Sequence, residues 1–314
     1  MQVIKFSYIE FDSINSLPDT FELQDHHSGY DKNFKNISFE QLGNRQHTII
    51  VHNIVDNQIK KNYPNLKFVF DANFQYKINL RHFENYNIHP KLDYQNFVCS
   101  FNGSDHVSRQ LLASALNKFG YFVKGYCSKN FKTNGNEIDG HIANYVTDTE
   151  FYNKFFDCTD EFNQQIYSFG HVRFDHAKNI YNLENKLTQS FLHIVSETMA
   201  TSYYPFVTEK SLYSIVTRGL FLAYAQPGWH EHIEKYYGFK LYNKIFDYRF
   251  DSITNPVERL VELMTMISKF TKLTTDEWRD LYLLEQDNIE FNYDHYFSKD
   301  YLKSLKQFDN TLTI

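Results

Sequence analysis

Apolar positions along the chain fall into two kinds of run: short β-branched or aromatic stretches, and longer ones in which apolar residues recur every three or four positions. Residues 47 to 53, His-Thr-Ile-Ile-Val-His-Asn, form a first short run, a polar helical stretch follows, and residues 67 to 71, Lys-Phe-Val-Phe-Asp, form a second. This predicts one βαβ step. Residues 97 to 101, Phe-Val-Cys-Ser-Phe, lead through the polar turn Asn102-Gly103-Ser104-Asp105 into Leu111, Leu112, Ala115, Leu116 and Phe119 at helical spacing. With Gly120 as helix stop and Tyr121-Phe122-Val123 as the next strand, a second βαβ step is expected. Between about 127 and 175 the pattern weakens into polar, aromatic-studded sequence, read as an interdomain region with irregular helix.

The periodicity returns at 191. Phe-Leu-His-Ile-Val-Ser-Glu over 191 to 197 predicts a strand, Glu209 to Arg218 a helix closed by Gly219, and Leu220 to Tyr224 another strand. Helices follow near 229 to 237, stopped by Gly238, over 256 to 270 with Pro256 at the first position, and over 275 to 285 with Thr274 or Thr275 as cap. Two separated blocks of βαβα alternation predict an α/β protein with two Rossmann-like lobes facing a central cleft. The expected division is an N-terminal lobe over residues 1–175 and a C-terminal lobe with closing helices over 176–314. Only 11 Gly and 6 Pro argue against a turn-dense all-β sandwich, and 30 Phe with 24 Tyr supply bulk for large cores.

The net charge of −6, with no long run of Lys or Arg, gives no footprint of the kind that drives nonspecific nucleic-acid binding. Cys99, Cys127 and Cys158 are widely spaced and read as reduced core thiols in a cytoplasmic protein. The first eleven residues show no basic region followed by an apolar stretch, and no apolar run reaches about 18 residues, so no membrane span is expected.

The chain carries no Gly-rich dinucleotide fingerprint, no phosphate loop, no Gly-x-Ser-x-Gly elbow and no Asp-x-Asp carboxylate pair, so charge on a bound diphosphate falls to side chains and helix ends. Within Tyr203-Tyr204-Pro205-Phe206-Val207-Thr208-Glu209-Lys210, the last three residues sit where the chain enters a helix. The helix amides and dipole there suit a phosphate, with Lys210 as a point charge and Glu209 poised to hold a ribose. A capping Thr208 followed by solvated Glu209 and Lys210 is the plainer alternative. Arg109 can fork onto a phosphate or face solvent, and Glu197, at the carboxyl end of a core strand, can serve a ligand or cap a helix. His230-Glu231-His232 lacks the spacing of a zinc site and reads as surface, and Asp25 with His26-His27 is a candidate general base.

Taken in order, these segments resemble the inverting α1,3-fucosyltransferases and the related transferases of viruses and bacteria. That family has two Rossmann-like lobes, the GT-B arrangement, and uses a GDP-sugar without a catalytic metal or other cofactor. Its strand ending in Glu-Asn, followed by Tyr-x-Thr-Glu-Lys, corresponds to Glu197-Thr198 and Phe206-Val207-Thr208-Glu209-Lys210 here. Its strand, polar turn and helix Arg correspond to Phe97 to Ser100 and Ser108-Arg109-Gln110. The resemblance covers roughly residues 95 to 240, with Thr198 and Phe206 in place of Asn and Tyr, and Tyr237 to Lys240, Phe246-Asp247 and Arg259 are nearer the viral branch. It implies a nucleotide-sugar donor, a glycan or other hydroxyl acceptor, and Arg109 with Lys210 stabilising the departing diphosphate. Transfer to hydroxymethylated bases of viral DNA, and a catalytically silent sugar- or nucleotide-binding module, stand as the alternatives.

Overall fold

The computed structural model describes residues 20–22, 46–51, 54–55, 57–70, 87–169, 176–197, 200, 205 and 207–308. Strands β1 (Thr20–Glu22), β2 (His47–Val51) and β3 (Leu66–Phe70) form a parallel three-stranded sheet in that order, with helix α1 (Asn57–Asn62) crossing between β2 and β3.

A second parallel sheet has four strands, β4 (Asn96–Asn102), β5 (Tyr126–Lys129), β6 (Ser190–Ser196) and β7 (Leu220–Tyr224), in the order β5-β4-β6-β7. Around it lie α2 (Val107–Lys118), α3 (Tyr121–Lys124), α4 (Gly135–Tyr145), α5 (Thr149–Tyr152), α6 (Asp160–Gln164), α7 (His176–Thr188), α8 (Glu209–Val216) and α9 (Trp229–Tyr237). The chain closes with α10 (Pro256–Ser268), α11 (Thr275–Leu284), α12 (Gln286–Phe297) and α13 (Lys299–Phe308). Both β4 and β6 are buried nearly throughout, as strands of a parallel sheet covered by helices are. None of the described helices is long and apolar enough to cross a membrane.

Pairing of Cys99 with His193 puts β4 beside β6, so this one sheet draws strands from both sides of residue 175. The division expected there falls inside the crossover from β5 to β6, and the change of sheet comes instead between Phe70 and Asn96. The stretch from 127 onward, expected to be irregular, holds the end of β5 and helices α4 to α6. Tyr121 to Val123, expected as strand, begins a helical turn, because Gly120 at φ 73 redirects the chain and delays the strand to Tyr126. Beyond the C-cap Thr217 of helix α8, Arg218 takes the left-handed conformation at φ 51, with Gly219 one residue further. The Arg218 N–H donates to Ile215 O and the Gly219 N–H to Ser214 O, the paired closure of a Schellman turn.

The two ends of the four-stranded sheet differ in chemistry. Near the amino ends, Phe97 and Phe191 join Tyr94 and Trp278 in an aromatic cluster, with the Trp278 ring stacked on Phe191 at 5.7 Å between centroids. At the carboxyl ends the register aligns Lys129 with Asn102 and Ser196 with Tyr224, and charged side chains gather around them. The outer edges are also occupied there. On β5, Lys129 exchanges two backbone hydrogen bonds with Tyr167; on β7, the Ala223 N–H donates to Nε2 of His230 and the Ala225 carbonyl accepts from Arg259.

Candidate functional site

The order β5-β4-β6-β7 reverses direction between β4 and β6. From β4 the chain leaves through α2 toward β5, and from β6 through α8 toward β7. With right-handed crossovers these helices lie on opposite faces, and the loops between them open a crevice at the carboxyl ends of β4 and β6. Arg109 belongs to the first turn of α2 and Lys210 to the first turn of α8, so both expected cations flank this switch point. Both helices spring from neighbouring strands of one sheet, whereas the sequence placed Arg109 in the opposite lobe.

Arg109 is buried and its guanidinium donates to the Ser104 hydroxyl in the turn after β4. Gln110 fixes that turn: its Nε2 donates to Asp105 O at 2.8 Å, and its Oε1 accepts from the Asn134 N–H at 2.8 Å, tying α2 to the start of α4. Asn102, fully buried at the end of β4, donates through Nδ2 to Ser100 Oγ and to Ser128 O.

Glu197 follows the last residue of β6 and is 0% exposed. Its Oε1 accepts from the Thr208 N–H at 3.2 Å and the Ser211 hydroxyl at 2.6 Å, and its Oε2 from the Thr208 hydroxyl at 2.5 Å. Burial raises the carboxyl above its usual range, against the opposing pull of Lys210 and of these hydroxyl donors. Glu197 thereby anchors the first turn of α8 to the end of β6.

Thr208 caps α8, with Oγ1 accepting from the Lys210 N–H at 3.4 Å. Lys210 Nζ donates to Glu209 Oε1 at 2.7 Å, and their side chains are 18% and 17% exposed. The pair is therefore partly shielded at the mouth of the crevice rather than solvated. Thr198, Tyr203, Tyr204 and Phe206 lie outside the described residues, as do Asp25, His26 and His27.

Two further buried cations stand at this edge. Lys129 donates to the Thr133 hydroxyl and to Phe162 O and lies 4.0 Å from the Phe162 ring centroid; burial lowers its ammonium to about 8, against the pull of Asp157. Arg259 donates from Nε to Ala225 O at 3.0 Å, from Nη1 to Ile253 O and Thr254 O, and from Nη2 to Ala200 O. Burial draws its guanidinium below the usual range. The sequence signal for Arg259 is a charge inside the apolar stripe of α10, whose Val257, Leu260, Leu263 and Met264 are buried. Lys129 carries no comparable local signal.

His230 and His232, expected at the surface, are buried. The His230 N–H donates to Asp251 Oδ2 at 2.9 Å, and with Nε2 accepting from Ala223, Nδ1 holds the proton and donates to Asp251 Oδ1 at 2.7 Å. That network joins α9 to the turn at Tyr248–Ser252 and leaves the imidazole no metal-facing nitrogen. Cys99 and Cys127 are buried and Cys158 is partly so, and burial raises all three thiols. Among the described residues no group of His, Cys, Asp and Glu is arranged to hold a metal ion.

Comparison with protein-family models, curated proteins and solved structures returned no match.

Proposed function

We propose that the chain is a glycosyltransferase that moves a sugar from a nucleotide-diphosphate donor, a GDP-sugar by preference, to an acceptor hydroxyl, with inversion and without a metal. The observation that carries this reading is the placement of Arg109 and Lys210 in the first turns of the two helices that leave adjacent strands at the switch point. A cation in the first turn of each helix, beside that helix's N-terminal amides, suits a diphosphate. Two separate parallel sheets support the two-lobed GT-B arrangement.

In the reaction, an acceptor hydroxyl gives its proton to a base on the acceptor side and attacks the anomeric carbon. The bond from that carbon to the diphosphate oxygen breaks, and Arg109 and Lys210 stabilise the charge on the departing group. Lys210 exchanges its contact with Glu209 for the phosphate, which frees the Glu209 carboxylate to accept from ribose hydroxyls. Thermal-shift titration with GDP, UDP and CDP tests the reading: one nucleotide raises the melting temperature selectively, by mass action. No shift with any of the three overturns it. Slow release of nucleoside diphosphate from a panel of nucleotide sugars separates an enzyme from a silent binding module.

A further inference from the structure

We infer that Arg259 is a positioning residue: it holds the connection between β6 and α8 against the carboxyl end of β7, and the nucleotide site depends on that hold. The inference rests on the nucleotide reading above. It starts from an imbalance in the core of α10. Arg259 is 1% exposed among buried Val257, Leu260, Leu263 and Met264, and all four hydrogen-bond acceptors given above are backbone carbonyls. Burying a cation strips it of hydration, a cost that an apolar side chain at the same place avoids. The compensation is where the carbonyls come from.

They belong to three separate stretches of chain. Ala225 follows β7, Ile253 and Thr254 precede α10, and Ala200 lies in the connection that leaves β6. A planar guanidinium reaches three directions at once with fixed geometry, which an ammonium on a flexible stem does not. The same connection is held at its far end by the buried carboxylate of Glu197, bonded to Thr208 eleven positions on. Two buried groups of opposite charge therefore hold described points of one connection, Arg259 at Ala200 and Glu197 at Thr208. Lys210 is two residues past the second anchor.

The test uses the full-length protein with Arg259→Lys, which keeps the charge and loses the fork, and Arg259→Gln, which is neutral and keeps two donors; whichever folds carries the measurement. GDP, UDP and CDP are titrated calorimetrically, and amide hydrogen exchange is followed at Ala200 and Val207 and, as a distant reference, in α11 and α12. The expected result is at least a tenfold loss of affinity for the nucleotide that the wild type binds, with at least tenfold faster exchange at Ala200 and Val207 and no change in α11 and α12. Wild-type affinity in the folded variant overturns the inference, and so does exchange that rises equally in the reference helices, which marks Arg259 as a general prop. A wild-type protein that binds none of the three nucleotides overturns the nucleotide reading, and this dependence on it falls too. The exchange at Ala200 then still reports whether Arg259 holds the connection.

Discussion

Gly219 lies against the imidazole of His193, so close that a Cβ at position 219 stands 2.1 Å from the ring carbon Cε1. The ring cannot yield. Its Nε2 donates to Leu187 O at 2.9 Å and its Nδ1 accepts from the Ser214 hydroxyl at 3.0 Å, which locks it in the middle of β6. Gly219→Ala is expected to cost about 3 kcal/mol, the upper range for overpacking a core. Adding His193→Ala should recover part of that loss in a double-mutant cycle followed by urea unfolding, and strictly additive costs argue against the contact.

His193 also predicts a pH dependence. Burial lowers its imidazole to about 4, whereas the unfolded residue titrates near 6.5. Between these values the unfolded chain binds a proton that the folded protein refuses, so the contribution is complete above pH 6.5 and is lost as pH falls toward 4. The loss amounts to about 3 kcal/mol. Urea unfolding at pH 7 and 4.5 should show a smaller drop in His193→Gln than in the wild type; equal drops assign the dependence to other groups.

Two substitutions at Glu197 separate anchoring from ligand contact. Glu197→Ala strands the Thr208 N–H and two hydroxyls in a buried place and is expected to cost about 4 kcal/mol. In Glu197→Gln the amide oxygen keeps two donors and the Thr208 hydroxyl turns to accept from the new NH2, for a cost of about 1 kcal/mol. If the proposed nucleotide site is right, its affinity should survive in the Gln variant, and its abolition in a folded Gln protein would return Glu197 to direct contact with the proposed donor.

For the proposed transfer reaction, Lys210→Ala should leave stability within about 1 kcal/mol, since its pair with Glu209 is partly exposed. Turnover should fall at least about a hundredfold, as when one preorganised stabilising group is removed. Arg109 is buried, so Arg109→Lys is the more informative variant: it retains charge and loses the bidentate fork. Near wild-type turnover in both variants contradicts the assignment.

Arg218 offers a comparison inside one position. Its Nε donates to Glu290 at 2.7 Å, its Nη1 to Ile88 O at 2.7 Å, and its guanidinium lies 3.4 Å from the Tyr293 ring centroid. Arg218→Ala and Arg218→Gly both lose these contacts, but only Ala must hold a Cβ at φ 51. The Gly variant should be the more stable by about 1 kcal/mol in denaturant titration. Equal stability means the backbone relaxes out of the left-handed region.

Much of the local structure was legible because it is encoded locally. The runs in β2, β3, β4, β6 and β7 carry their own β-branched and aromatic signal, Pro256 opens α10, and Thr274 forms a capping box with Glu277. β5 was not legible, because Tyr126-Cys127-Ser128-Lys129 has no apolar alternation and its Lys is made tolerable by Thr133 and Phe162. Nor was the sheet order. The partner of Cys99 is His193, far along the chain, and no local pattern states that pairing. The site followed suit: Arg109, Glu197, Thr208, Glu209 and Lys210 all fall at the carboxyl ends of β4 and β6 or in the helices that follow, while the anchoring role of Glu197 and the fork of Arg259 exist only in three dimensions.

The groups that occupy the two rims of the four-stranded sheet bear on how one molecule meets another. An unprotected outer strand is a template on which a second chain can lay its own, and repeated docking of that kind ends in insoluble aggregate. Here His230 and Arg259 take the outward backbone groups of Ala223 and Ala225, and Tyr167 takes those of Lys129. A neighbouring molecule finds these stretches of ladder already spoken for, at the same end of the fold where its polar chemistry is gathered.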